Sequence, residues 1–391
     1  MPGDKTKGSL LDRVDAVLPS IAERAADTEL LRMLPLENVE LLKETGYTRA
    51  MVPQRFGGAE EHFVEFSQCS RRIACACPST GWVMHLLSQH AHAVASFDEK
   101  VQEEIWGRDP NTFVCSSVAP IGTFTRTGDG YRLSGRFRFS SGCDHAQWTM
   151  VGGYCKNDNG ENEHLLAILP ANDYKIIDTW YAAGLKGTGS KDLEIENVLV
   201  PEYRVESFFA LATGQSRGVG INSSDLFRIP FMAVFGAGFS TVVLGIADGM
   251  LQAYTDNLKQ RARAYTGALM LQSMPAYMRL AESSHELHAA TLILENDWAD
   301  FVSHSERGEV PNMNTQVEWR TNQAYAVKLA VQGVDRLYEA SGGSAAMQNQ
   351  AAQRYWRDIH VASAHAYTDY DVAAQILGRH LAGLPADPDL L

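Results

Sequence analysis

Basic residues are in deficit. The chain sets 34 lysines and arginines against 47 aspartates and glutamates, a formal net charge of -13 at pH 7. No stripe of Lys and Arg gathers anywhere, which excludes nucleic acid as the expected partner. Cysteine is scarce: Cys69, Cys75, Cys77, Cys115, Cys143 and Cys155 fall mostly inside apolar segments, and no two CxxC units stand at zinc spacing. Reduced, buried thiols and no metal are expected. No run approaches the roughly 18 apolar residues of a membrane span, and MPGDKTKGSLLDRVDAVL lacks an apolar signal core. A cytoplasmic protein without a membrane partner is the expectation. Also missing are a GxGxxG after a strand, the mark of a nicotinamide site, any internal repeat and any low-complexity tract. What remains is ordinary for a folded chain, 45% hydrophobic and 21% charged over 391 residues. That length supports a large core without disulfides or a metal.

One stretch stands out, Pro110 to Trp148: PNTFVCSSVAP, then GDGYRLSG, then RFRFSSGCDHAQW. Two Ser-Ser pairs sit on apolar segments that read as buried strands joined by a glycine-punctuated hairpin. A buried hydroxyl without a partner costs about 1 to 3 kcal/mol. Two such pairs point to a polar ligand lying across these strands.

Taken in order, Leu10 to Gly46 has apolar residues three and four apart, with Gly46 at a C-cap. A loop with a Gly-Gly turn follows, then a helix through Cys75. After Pro78, Ser79 or Thr80 can cap a third helix on which Trp82, Leu86 and His90 share a stripe. DEKVQEEIWG makes another, ending at Gly107. From Pro110 to about Tyr203 the segments are short and turn-bounded, including YKIIDTWYAAGLKGTGS, and a six-stranded barrel or sandwich fits them. Helical periodicity returns at about Ile229, where four long segments, the last being QRYWRDIHVASAHAYTDYDVAAQILGRHLAG, suit an antiparallel bundle. The expected fold is α+β: a helical domain over 1–109, a β domain over 110–215 and a four-helix bundle over 216–391.

That order, with TWYAAGLKGTGSKDLEIENVLVP closing the β part, resembles the acyl-CoA dehydrogenase fold. More narrowly it is similar to the oxygenase halves of two-component, flavin-dependent aromatic monooxygenases. The matches are STGWVMHLLSQHAH, FSSGCDHAQW, WYAAGLKGTGSKDL, RTNQAYAVK and WRDIHVASAHAYTDYDVAAQILGR, and they span nearly the whole chain. The resemblance implies a homotetramer that takes reduced FMN, or else reduced FAD, from a separate NAD(P)H:flavin reductase. With O2 it would hydroxylate a phenol beside its oxygen through a C4a-hydroperoxyflavin. Carried over by residue, Ser141, beside Ser140, is expected near flavin N5, where a hydrogen bond opposes loss of H2O2. His90 and Ser116 are expected to hold the phenolic oxygen, with His90 as base. His365 is expected near the flavin as a cationic imidazole that favours anionic reduced flavin. Trp82, Val118, Phe235 and Tyr367 would wall the aromatic pocket. Ser190, Arg261 and Arg263 would handle the flavin phosphate.

One position departs. Where relatives acting on 4-hydroxyphenylacetate have an arginine facing the site, this chain has Met232, and Arg228 could replace it only by a rearranged loop. The first substrate expectation is 4-hydroxyphenylacetate or a related phenol. A larger or neutral ring, such as a phenolic secosteroid or indole, is the alternative, and acyl-CoA oxidation comes last.

Plainer accounts exist for each residue. His90 can be a hydrogen-bonded core histidine, Ser116 and Ser141 satisfied strand serines, and His365 a helix partner of Asp369 four residues on. His92 is read as structural, and Asp144 and His145 as ordering their turn. A di-iron site needs two Glu-x-x-His units on facing helices; Glu282 to His285 is one, but Glu161 to His164 falls in a polar hairpin. A dehydrogenase base would often be a late glutamate, and none follows Glu339.

Overall fold

Local capping sets the helix starts. The computed structural model describes residues 8–260, 262, 267 and 269–384. Helix α1 (Leu10–Glu23) opens on a reciprocal cap between Ser9 and Asp12, α2 is Ala25–Leu31, and α3 (Leu36–Thr45) ends on Gly46 at φ 84°. Helix α4 spans Phe63–Ala76. Helix α5 (Pro78–Val94) starts one residue before the caps expected from Ser79 and Thr80. Pro78 is its first helical residue and extended Cys77 precedes it, because proline's fixed φ and missing N–H suit that position. Helix α6 (Glu99–Trp106) is capped by Asp98.

The middle of the chain forms one seven-stranded mixed sheet: β1 (Val114–Thr127), β2 (Gly130–Ser140), β3 (Trp148–Lys156), β4 (Asn162–Pro170), β5 (Lys175–Ile177), β6 (Lys191–Val200) and β7 (Val205–Ser207). Their order is β5-β6-β2-β1-β3-β4-β7. β1 pairs antiparallel with β2 and parallel with β3, with bulges after Ser117 and at Pro120. The polar KNDNGENE is the β3–β4 tip, as its composition requires. Of YKIIDTWYAAGLKGTGS only β5 pairs as a strand. The rest is a loop with Leu185 and Gly189 at positive φ. Side chains hold it instead of a ladder: Leu185 N–H donates to Asp358 at 2.6 Å and Trp180 Nε1 donates to the Leu185 carbonyl at 2.9 Å.

After short α7 (Phe208–Ala212) come α8 (Phe231–Gln260), α9 (Met274–Glu306), α10 (Met313–Ser341), α11 (Ala351–Ser363) and α12 (Tyr370–Leu381). Two expectations change here. α8 is long and apolar enough to cross a membrane by length and composition, with mean hydropathy 1.7 over its best window, yet 89% of that window is buried inside the protein. Its apolarity comes from being wrapped by α4, α5, α10 and α11. The last expected helix is broken into α11 and α12 by a 3-10 turn at Ala366–Thr368. His365 caps that turn and Asp369 caps α12, so His365 lies between helices.

Candidate functional site

Every residue of α5 is buried, and its His90 faces β1. Nδ1 of His90 lies 2.7 Å from the Val114 carbonyl and Nε2 lies 2.9 Å from Ser116 Oγ. A carbonyl only accepts, so Nδ1 carries the proton and Nε2 accepts from the serine hydroxyl. Burial pushes His90 down to about 4, so it is neutral at pH 7. Ser116 thus has its proton committed and its lone pairs open.

A second hydroxyl chain ends at Ser141. Thr188 Oγ1 donates to the Leu185 carbonyl at 2.8 Å, Ser190 Oγ is 2.7 Å from Thr188 Oγ1, and Ser141 Oγ is 2.7 Å from Ser190 Oγ. With the Thr188 proton spent, Ser190 must donate to Thr188 and Ser141 to Ser190. Trp82 Nε1 donates to Ser141 at 3.0 Å. Ser141 keeps one lone pair and no free proton, which makes it an acceptor.

The other members of the Ser-Ser pairs turn away. Ser117 donates to the Arg138 carbonyl. Ser140, fully buried, lies against the Cys115 thiol in the sheet's interior. Strand alternation explains the split.

Aromatic rings close the site from α8 and the turn before α12. Phe239 stacks on His365 at 3.8 Å and packs 5.4 Å from Trp82, while Phe235 meets both Phe239 and Tyr367 edge to face. The Trp82–Phe239 contact and a hydrogen bond from Gln89 to the Val234 carbonyl show α5 and α8 running antiparallel. His90 therefore stands level with Phe231 to Phe235. Tyr367 OH donates to the Met232 carbonyl at 3.1 Å.

His365 departs from expectation. Its Nδ1 accepts the Tyr367 N–H at 3.2 Å, and burial together with Arg320 pushes it down to about 4. It is a neutral imidazole, and the cation beside it is Arg320 on α10, with Cζ 4.0 Å from the centroid of the Tyr367 ring.

These contacts join Trp82, Ser141, Ser190, Phe235, Tyr367, His365 and Met232 into one group, and His90 and Ser116 form a second pair on α5 and β1. Ser190 is bonded to Ser141, although it was expected among the phosphate-handling groups. Val118 packs at the core's margin on β1, and its carbonyl accepts from His164. Arg261 and Arg263 lie outside the described residues. Arg228 is exposed and paired with Asp225 at 2.6 Å. His92 bonds the Leu226 carbonyl, and Asp144 pairs with Lys191 at 2.7 Å. Sequence reasoning missed Thr188, Phe239, Arg320 and Gln323. Phe239 was findable, four residues after Phe235 on the same helical stripe. Arg320 lies in RTNQAYAVK, but nothing in that string says the side chain is buried.

The donor set fits a reduced flavin. An isoalloxazine carries a hydrogen on N5 only when reduced, and Ser141 is left able only to accept. His365, Trp82 and Phe239 pack into a cluster of rings next to Ser141 that would give such a ring a flat, water-poor wall.

Residues 237–370 match the family model "Acyl-CoA dehydrogenase, C-terminal domain". The chain is 43% identical over 384 residues to the p-hydroxyphenylacetate 3-hydroxylase oxygenase component of Acinetobacter baumannii, covering 98% of this chain and 91% of that protein. The crystal structure of the HsaA monooxygenase from M. tuberculosis superposes with a TM-score of 0.93 at 35% identity, covering 98% of this chain and 99% of that one. XiaF from Streptomyces sp., solved with FADH2 and glycerol, gives a TM-score of 0.89 at 25% identity over 96% of both chains. The chain belongs to the oxygenase components of flavin-dependent aromatic monooxygenases, built on the acyl-CoA dehydrogenase fold.

Proposed function

We propose that this oxygenase hydroxylates a phenol on the ring carbon beside the phenolic oxygen, with 4-hydroxyphenylacetate, named in the 43% identical relative, as first substrate. The observation that carries the reading is the Ser116–His90 pair. Its polarity leaves Ser116 Oγ free to accept a phenol O–H while its own proton points at His90 Nε2. Reduced flavin, when bound, supplies an electrophilic oxygen atom taken from O2.

The remaining work belongs to the chain. A phenol of pKa about 10 does not yield its proton to an imidazole near 4 in the ground state. As the ring carbon gains oxygen, the phenolic O–H becomes far more acidic. The proton then moves to Ser116 Oγ as the serine proton moves to Nε2. The Val114 carbonyl at Nδ1 steadies the imidazolium that forms, and a positioned base of this kind contributes roughly 10²- to 10⁴-fold. Trp82, Phe235, Phe239 and Tyr367 exclude water from the reacting atoms.

Ser141 would hold the reduced ring through N5, with Ser190 and Thr188 fixing its polarity. Arg261 and Arg263 would take the flavin phosphate, FMN being the first choice and FAD the other. We place the protein in the cytoplasm, supplied by a separate NAD(P)H:flavin reductase. A homotetramer is the proposed assembly; Met274, Met278 and Leu292 stand exposed along one face of α9, where a second copy would cover them.

The test mixes protein, chemically reduced FMN and oxygenated buffer with a panel of phenols and indole, and assays hydroxylated product. One phenol giving an ortho-hydroxylated product supports the reading. Flavin oxidation without product for every member removes it.

A further inference from the structure

Arg320 is 4% exposed, and among the described residues its only hydrogen bond is a 3.3 Å one from Nη2 to the Ala366 carbonyl. Nε and Nη1 have no partner among the described residues. Around it stand the face of the Tyr367 ring and, at longer range, Asp369. An arginine does not shed its proton to escape burial, so two such donors need an acceptor. One turn along α10, Gln323 is 2% exposed and neither of its amide atoms has a partner among the described residues. Gln323 and the Tyr367 ring meet over Gly236 of α8, and Arg320 lies on the face of that same ring. A Cβ there would overlap Tyr367 and lie 2.6 Å from Gln323 Oε1. The Tyr367 ring spans from Arg320 to the Met232 carbonyl, the neighbourhood where an arginine was expected and methionine stands.

We propose that Arg320, assisted by Gln323, is the anchor for the carboxylate of an aromatic acid substrate. This rests on the phenol-hydroxylase reading and names the substrate class for it. The phenolic end goes to Ser116 and His90, and the acid end goes to the α10 side of Tyr367. A carboxylate suits these donors: it is planar, takes two arginine N–H groups and can accept a third from the Gln323 amide. The aromatic rings around it strengthen such a pair by excluding water. Met232 then contributes only its backbone carbonyl, so the acid is held from α10 instead of from α8.

The test is equilibrium binding under anaerobic conditions with the protein saturated in reduced FMN, following tryptophan fluorescence. The probes are 4-hydroxyphenylacetate and its neutral amide, against wild type, Arg320→Met and Arg320→Lys. The expected result is that wild type binds the acid at least tenfold more tightly than the amide. Arg320→Met then erases the preference by weakening the acid alone, and Arg320→Lys restores part of it. Equal affinity of wild type for acid and amide overturns the proposal, with no variant needed. Equal weakening of both probes in Arg320→Met also overturns it, as does weakened binding of reduced FMN itself, which would make the flavin the anion served. Because hydroxylation of neutral phenols does not require this anchor, product from the amide with no acid preference would sink the anchor and leave the phenol reading standing.

Discussion

Ser116 Oγ and His90 Nε2 lie 2.9 Å apart, and the Val114 carbonyl on the far side of the imidazole fixes the direction of the hydrogen bond between them. The serine is thereby turned outward as an acceptor. His90→Ala should lower hydroxylation by about 10²- to 10⁴-fold while reduced flavin is still consumed, with the lost product recovered as H2O2. Product and peroxide assays on the same samples check this; unchanged coupling removes His90 from the relay.

Ser190→Ala breaks the chain that commits the Ser141 proton. Ser141 can then donate as well as accept, so discrimination in favour of reduced flavin should shrink severalfold. Affinities for oxidised and reduced FMN, measured separately, report it. A ratio equal to that of wild type would show that Thr188 and Ser190 do not set the polarity.

Four buried histidines resist protonation: His85 is pushed down to about 3, and His90, His92 and His365 to about 4. Their unfolded value is about 6.5, so between those limits the unfolded chain binds more protons and stability falls as pH falls. Each contributes up to about 1.4 kcal/mol per pH unit. Denaturant midpoints should drop steeply from pH 6.5 to 4. His92→Gln, at a side chain that turns away from the Ser116 pair to the Leu226 carbonyl, should flatten part of that slope.

Asp297 behaves oppositely. Burial between α9 and α10 pushes its carboxyl up to about 8, with Oδ1 accepting from Asn322 at 2.9 Å and Oδ2 without a partner among the described residues. The folded state then holds a proton the unfolded state has lost, so stability declines as pH rises toward 8. Between pH 6.5 and 8 the histidine contribution is common to both proteins and cancels in their difference, so Asp297→Asn should be more stable than wild type and should lose a slope of up to about 1.4 kcal/mol per pH unit. Urea unfolding at pH 6.5, 7.2 and 8 reads this directly.

Gly238 lets α8 approach α5 closely. A Cβ there would overlap Gln89 Oε1 and His85 Nε2, both buried. Gly238→Ala gains helix propensity of about 1 kcal/mol but overpacks the core by about 1 to 3 kcal/mol. A net loss of melting temperature is expected.

How much the sequence revealed depended on where the information lay. The α-β-α order was legible because apolar period and turn residues are local. The serine pairs marked the stretch, but which member of each pair meets a side-chain partner was not legible from the pattern; Ser116 and Ser141 were singled out by the resemblance, and their bonds to His90 and Ser190 are tertiary. The loop through Leu185 was not, since its conformation rests on Asp358, 173 positions away. The neutral state of His365 was hidden for a similar reason: it depends on burial and on Arg320, which are tertiary facts. The polarity of the Ser141 chain needed the Thr188 geometry, which spacing alone does not carry.

The most direct measurement is a single turnover at pH 7 of protein, reduced FMN, O2 and 4-hydroxyphenylacetate, with hydroxylated product and H2O2 quantified together in wild type, Ser116→Ala and His90→Ala. Product should dominate in wild type and peroxide in both variants, with flavin oxidised in all three. Equal product in wild type and both variants would contradict the relay through Ser116 and His90, and peroxide alone in wild type would contradict phenol hydroxylation.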